Sequence, residues 1–290
     1  MNAAASAATR LRVYLHAIRF EHTIFALPFA YLGMVVAADG WPGWRTLFWI
    51  SIAMVGARTG AMAANRLIDA EIDARNPRTA VRALPTGIMS RLEMLALAAA
   101  GFGLLHVAAW QLNILALALA PVAALFVTLY SYTKRFTWLS HWVLGLADGI
   151  APVGGWIAVR GEFSAEAAML ALVVTFWIAG FDVLYSLQDS EFDRQLGLRS
   201  VAERFGTGRA LLIARSSHFL TIVFLAALGL IAPLSWPYWI GVILIAGLLA
   251  YEHALLRPDD LTKLDVAFFN LNGYVALTAL AFTIAGVWIG

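Results

Sequence analysis

The chain has 290 residues, of which 61% are hydrophobic and 13% charged, and its mean hydropathy is +0.77. A soluble domain carries about 25% charged residues, so this composition excludes an ordinary soluble protein and points to an all-α integral membrane protein. The net charge of +2, with its basic residues spread over several loops, leaves no electrostatic footprint for nucleic acid. The absence of cysteine excludes disulfides, thiolate metal sites and cysteine nucleophiles together.

The first dozen residues are small and basic, show no cleavable signal pattern and read as a short lead into the first span. A spanning helix needs about 20 apolar residues. Apolar stretches recur at residues 14–38, 44–66, 93–111, 114–132, 140–159, 165–188, 209–232, 236–256 and 265–289. They predict a bundle of about nine transmembrane helices forming a single domain over 1–290 in contact with the lipid bilayer. The apolar run from Leu92 to Thr133 is too long for one span and divides at Gln111-Leu112-Asn113.

Cytoplasmic loops collect Lys and Arg. Here 17 of the 20 basic residues fall at the N-terminus (Arg10, Arg12, Arg19) or in the loops after the second, fourth, sixth and eighth spans. Arg45 and Arg160 fall on the other side, and Arg58 lies inside the second span. This asymmetry predicts a multi-pass protein of the cell inner membrane, with its N-terminus cytoplasmic and its C-terminus outside.

Near the inner end of the second span, Asn65, Asp69 and Asp73 are spaced i, i+4, i+8. Each step drifts only about 40° around a helix, so the three share a face. Near the inner end of the sixth span, Asp182, Asp189 and Asp193 also fall on one face, with Tyr185 among them. A carboxylate at membrane depth costs about 2.5–3.5 kcal/mol and marks an interior or water-filled site. A single acid near a helix end reads more simply as solvated or paired with a neighbouring Arg. That reading weakens because the design occurs twice, each copy followed by arginines: Arg75, Arg78 and Arg82, then Arg194 and Arg199. Oxygen donors without His or Cys favour Mg²⁺, which takes one or two carboxylates and completes its shell with water and phosphate oxygens. A metal-bridged diphosphate is the occupant that this donor set suits.

Both patterns resemble the aspartate-rich motifs of the UbiA superfamily of intramembrane aromatic prenyltransferases. Further resemblances are Arg58, seven residues before Asn65, and the run Asn76-Pro77-Arg78 through Arg82 to Pro85 and Gly87. Tyr130-Ser131-Tyr132-Thr133-Lys134-Arg135 and Leu196-Gly197-Leu198-Arg199-Ser200 add to them. Within the superfamily the wording is similar to the 4-hydroxybenzoate polyprenyltransferase branch. The opening Arg19-Phe20-Glu21-His22 and the Asn65-Arg66 pair lean towards relatives that prenylate a naphthoate in the futalosine route to menaquinone.

The resemblance implies nine transmembrane helices around a central cavity, with both motifs on the cytoplasmic side. It implies Mg²⁺-dependent transfer of a polyprenyl group from polyprenyl diphosphate to a small aromatic acid, of the 4-hydroxybenzoate or 1,4-dihydroxy-6-naphthoate type, in ubiquinone or menaquinone biosynthesis. On that basis Asn65, Asp69 and Asp73 hold one metal–diphosphate cluster, and Asp189 and Asp193 hold the other. Arg66, Arg78, Lys134, Arg135 and Arg199 are expected on the phosphates, where Arg offers a planar fork and Lys a point charge. Tyr185 and Tyr132 are expected to face the allylic cation and the acceptor with their π surfaces, and Asp182 to orient the ring or accept its proton. Arg58 is expected to bind the acceptor carboxylate or, alternatively, to pair with an interior acid such as Asp148. Asp148 has no motif support and stays outside the expected site. Glu21 and His22 are expected at the membrane interface.

A secondary transporter is the alternative, since two acidic helices four spans apart hint at an internal repeat. A transporter places its acids near the midplane on broken helices, whereas these stand near one face and run into basic loops.

Overall fold

The computed structural model describes residues 10, 12–18, 21–264 and 271–289, without the side chains of 21–26. The expected contributions of Arg19 and of the Glu21 and His22 side chains therefore lie outside the described residues. After a helical segment at 12–17, the chain forms α1 (Glu21–Ala38), α2 (Trp44–Ile68), α3 (Ala70–Arg75), α4 (Arg91–Leu112), α5 (Ile114–Thr133) and α6 (Ser140–Arg160). It continues with α7 (Ala165–Ser186), a 3₁₀ turn at Leu187–Asp189, α8 (Ser190–Leu196), α9 (Val201–Ile231), α10 (Trp236–Ala254) and α11 (Asn272–Trp288). Among the described residues no strand forms, and seven helices are long and apolar enough to cross a membrane. Helix α11 and the stretch 27–38 of α1, where the last and first spans are expected, are shorter apolar helices.

Polar residues start the helices where the apolar runs begin. The Ser90 hydroxyl accepts the Glu93 N–H while the Glu93 carboxylate accepts the Ser90 N–H, a reciprocal cap for α4. Asn113 divides the long apolar run as its sequence suggests. Its side-chain oxygen accepts the Ala116 N–H to start α5, and its amide donates to the Ile157 carbonyl at 2.7 Å, which ties the turn to α6. Ser164 and Ser200 cap α7 and α9 in the same way. The expected start of the seventh span at 209 differs from the observed Val201. Gly206, at φ 75°, breaks α9 and leaves a short segment ahead of the apolar run.

The motif helices depart from the sequence expectation in one respect. Helix α2 stops at Ile68 and the chain restarts as α3 just after Asp69, while α7 stops at Ser186 and a 3₁₀ turn ending at Asp189 leads into α8, so neither acidic set lies on an unbroken helix. Asp69 sits at φ −94°, ψ 5° and Asp189 at φ −105°, ψ 4°, in the bridge region rather than the helical one.

Small residues bring the backbones together. A Cβ on Gly33 of α1 would collide with the Pro152 carbonyl of α6, and one on Gly145 of α6 with the Thr175 carbonyl of α7. Gly56 and Gly60 of α2 meet α4 at Gly101 in the same manner. The largest core cluster includes Phe29, Leu32, Trp156, Trp177, Leu228 and Tyr238, so α1, α6, α7, α9 and α10 share one interior.

Candidate active site

Both motifs meet at one end of the bundle because each is held by a loop from elsewhere in the chain. Asp69 and Asp73 are each only 4% exposed. Asp69 accepts from the Asn65 amide at 3.0 Å and lies 3.3 Å from Lys134 Nζ and 3.2 Å from Arg135 Nη2. Arg135 also donates to the Ile68 carbonyl at 2.6 Å, which anchors the α5–α6 loop on the end of α2. One Arg82 nitrogen lies 2.7 Å from both oxygens of Asp73. The buried carboxylates thus offset their desolvation cost with cations from the loops.

The loop after the first motif crosses to the second. Arg78 grips both oxygens of Asp189 through Nε and Nη2, and its Nη1 donates to the Tyr185 hydroxyl at 2.5 Å. The Asn76 amide donates to Asp189 at 3.3 Å, while the Asn76 side-chain oxygen accepts the Arg78 N–H and shapes the turn. Burial disfavours the Arg78 cation, yet the hydrogen bond and charge of Asp189 outweigh it and hold the guanidinium above its ordinary pKa. The second motif addresses two different elements: Asp182 meets His141 of α6, and Asp189 meets Arg78 of the loop after α3.

Three expected residues stand differently from the sequence reading. Arg66 is buried, with Nε directed at the Ala17 carbonyl and Nη1 at the Asn65 side chain, so its guanidinium faces the N-terminal segment. Arg199 donates to the Phe136 carbonyl, and its own N–H bonds the Lys134 carbonyl at 2.7 Å, which locks two cationic loops together. Tyr132 is 41% exposed beneath the Arg135 guanidinium. The neighbour that faces inward is Tyr130, two residues earlier and therefore on nearly the opposite side of α5.

Deeper than the motifs, an apolar cavity of about 430 Å³ is lined from α2, α5, α6 and α7, among others, by residues that include Met54, Ile178 and Phe181. Its charged lining residues are Arg58 and Asp148, with Tyr130 beside them. The Arg58 Nε is buried without a hydrogen-bond partner among the described residues.

His141 also escaped the sequence reading. Its Nε2 accepts the Val201 N–H at 3.1 Å, so Nδ1 carries the proton and donates to Asp182 at 2.7 Å. The sequence offers a faint sign of it. His141 stands seven residues before Asp148, on the same stripe of α6.

Among the described residues no three His, Asp or Glu side chains gather closely enough to hold a metal by themselves. This still fits Mg²⁺. That ion seldom occupies an all-protein cage and binds through one or two carboxylates with substrate phosphates, and Asn65, Asp69, Asp73 and Asp189 supply hard oxygen donors of that kind.

The model of the UbiA prenyltransferase family matches residues 26–274. A 4-hydroxybenzoate octaprenyltransferase of Vibrio cholerae serotype O1 is 30% identical over 288 residues, covering 97% of this chain and 99% of its own. The enzyme of that name from Cupriavidus metallidurans is 31% identical over 269 residues, covering 91% and 90%. Among solved structures, the apo form of a UbiA homolog from Aeropyrum pernix K1 superimposes with a TM-score of 0.84 at 32% identity, over 91% of this chain and 98% of that one. A UbiA homolog from Archaeoglobus fulgidus bound to GPP and Mg²⁺ shares the fold, with a TM-score of 0.70 at 18% identity over 95% and 99%.

Proposed function

Because the chain belongs to the UbiA prenyltransferase family, we propose that it transfers a polyprenyl group from polyprenyl diphosphate to the ring of a small hydroxylated aromatic acid. The observation that carries this reading is the pairing of both aspartate motifs with loop cations, Lys134 and Arg135 on Asp69 and Arg78 on Asp189, with an apolar cavity deeper in the bundle. The name of the relatives, 4-hydroxybenzoate octaprenyltransferase, favours 4-hydroxybenzoate as acceptor, and the Asn65-Arg66 pair favours 1,4-dihydroxy-6-naphthoate. In this reading α1 and α11 complete nine spans in a single domain over 1–290. The motifs then face the cytoplasm, with the N-terminus inside and the C-terminus outside.

Asn65, Asp69 and Asp73, with Asp189 and Asp193 opposite, would hold Mg²⁺ together with the diphosphate. The bound metal supplies positive charge that makes diphosphate a competent leaving group. Arg78, Lys134 and Arg135 are already poised on the motif carboxylates and exchange them for phosphate oxygens as the substrate enters. Their charge then lies where negative charge grows as the allylic C–O bond breaks. Arg66 and Arg199, which face neighbouring segments, brace this cationic rim. Tyr185, oriented by its hydrogen bond to Arg78, offers its ring to the allylic cation, and Tyr132 steadies Arg135. The cavity houses the proximal isoprenoid units and keeps water away from the cation, and Arg58 takes the acceptor carboxylate. Asp182, held by His141, orients the ring and stands ready for its departing proton.

The test is an assay of the detergent-purified protein with geranyl diphosphate, Mg²⁺ and either aromatic acid. Prenylated product is expected from one of the two acids. It should fall by at least about 10³-fold in Asp69→Ala and in Asp189→Ala and disappear on chelation. Product formation that survives chelation and both substitutions would remove the motifs from the chemistry.

A further inference from the structure

Helix α9 carries three arginines that the proposed mechanism leaves unused. About 20 residues cross the hydrocarbon of a bilayer, so the 31 residues of α9 exceed one crossing by about ten. Its apolar run closes at Ile231, which puts the surplus at the start of the helix, on the end of the bundle where Arg199 meets Lys134. Arg204 and Arg209 lie in that surplus. Arg215 stands one turn past it, close enough for its long side chain to reach back to the interface. All three are exposed, and among the described residues none has a carboxylate within ion-pair distance.

Contact with water would be enough to explain arginines on a loop, but these border a face turned to lipid. Leu212, Ser216, Phe219 and Val223 are exposed at intervals of four, three and four residues, which makes one helix face. Arg209 stands on one edge of that face and Arg215 on the other, each within about 70° of its middle. The Arg215 Nη2 also donates to the His253 carbonyl at 3.3 Å, which ties this edge to the end of α10. The Arg204 guanidinium lies 5.7 Å from the centroid of the Trp138 ring, beside exposed Phe136 and Leu139, an aromatic and apolar setting of the kind found at the membrane interface. Cations directly above exposed apolar side chains complement a phosphate directly above acyl chains. We propose that the start of α9 binds an anionic phospholipid, with its phosphate held by Arg209 and Arg215, Arg204 beside them, and an acyl chain along Leu212, Phe219 and Val223. Arginine forks grip phosphate oxygens in pairs. The substrate diphosphate belongs with the motif carboxylates and their metal, whereas three arginines without a paired carboxylate suit a phosphate that brings no metal.

The test is native mass spectrometry of the detergent-purified protein given equal amounts of phosphatidylglycerol and phosphatidylcholine. An arginine beside an anionic headgroup is worth about fivefold in affinity, so the wild type should retain phosphatidylglycerol with a preference of at least about tenfold. Arg209→Gln/Arg215→Gln should lose most of that preference, and Arg204→Gln should lower it by about fivefold. Arg194→Gln and Arg257→Gln, exposed at the same end but outside the α9 face, should keep it. Geranyl diphosphate with Mg²⁺, and soluble glycerol phosphate at the concentration of the lipid, should both leave the bound lipid in place. Equal retention of the two lipids by the wild type would overturn the proposal without any variant being needed. So would an equal loss in the Arg194 and Arg257 variants, which reduces the effect to overall surface charge. Displacement by geranyl diphosphate would put the lipid in the motif site, and displacement by glycerol phosphate would leave a phosphate site with no lipid; either result overturns the proposal.

Discussion

At the scale of single residues, the motif carboxylates and the loop cations satisfy one another. Asp69, Asp73 and Asp189 are each bonded to an Arg or Lys that the proposed reaction uses, or that stands beside it. This stores the cations at the site without leaving a buried charge unmatched. Arg78 matters for its shape as well as its charge, since one guanidinium joins Asp189 and the Tyr185 hydroxyl. Arg78→Lys keeps the charge and loses the fork, so kcat should fall about 10²-fold with folding retained, as steady-state kinetics and circular dichroism would show. An unchanged kcat would mean that a point charge is enough. His141→Ala removes the partner of both Asp182 and the Val201 N–H. It should lower stability by about 1–3 kcal/mol, read as a lower unfolding midpoint in detergent, whereas His141→Asn should recover part of that loss.

At the scale of elements, the bundle depends on helices that nearly touch. The α6–α7 contact at Gly145 has no room for a side-chain carbon beside the Thr175 carbonyl. Gly145→Ala must push the two backbones apart, at a cost of about 1–3 kcal/mol. The same movement separates His141 from Asp182, which sit on these two helices. Lower thermal stability together with lower activity is therefore expected, while Gly154→Ala on the same helix, where a Cβ meets nothing, should leave the unfolding midpoint unchanged. The helix breaks at Asp69 and Asp189 belong to this scale too. Periodicity predicts one acidic face on each motif helix. It did not foresee the breaks, because neither a proline nor a glycine occurs between residues 62 and 76 or between 181 and 196, and the partners that hold the central aspartates come from remote loops.

At the scale of the whole molecule, the distribution of Lys and Arg predicts which end of the bundle faces the cytoplasm. The absence of cysteine makes the test clean. A single cysteine in place of exposed Glu162, in the α6–α7 loop, should react with a membrane-impermeant maleimide added from outside the inner membrane. One in place of exposed Gln195, beside the second motif, should react only after the membrane is opened. The reverse pattern would invert the topology and put the motifs on the outer side. The sequence by itself determined the membrane class, most helix limits and the pairing of two acidic motifs with basic loops, because hydropathy and i, i+4 spacing are local properties of the chain. The tertiary structure alone decided that Arg78 serves the opposite motif, that Tyr130 rather than Tyr132 faces the cavity, that Arg66 turns to the N-terminal segment, and that His141 and Asp148 lie beside the site. Those facts depend on which helices pack together and at what rotation, and residues far apart in the chain settle that jointly.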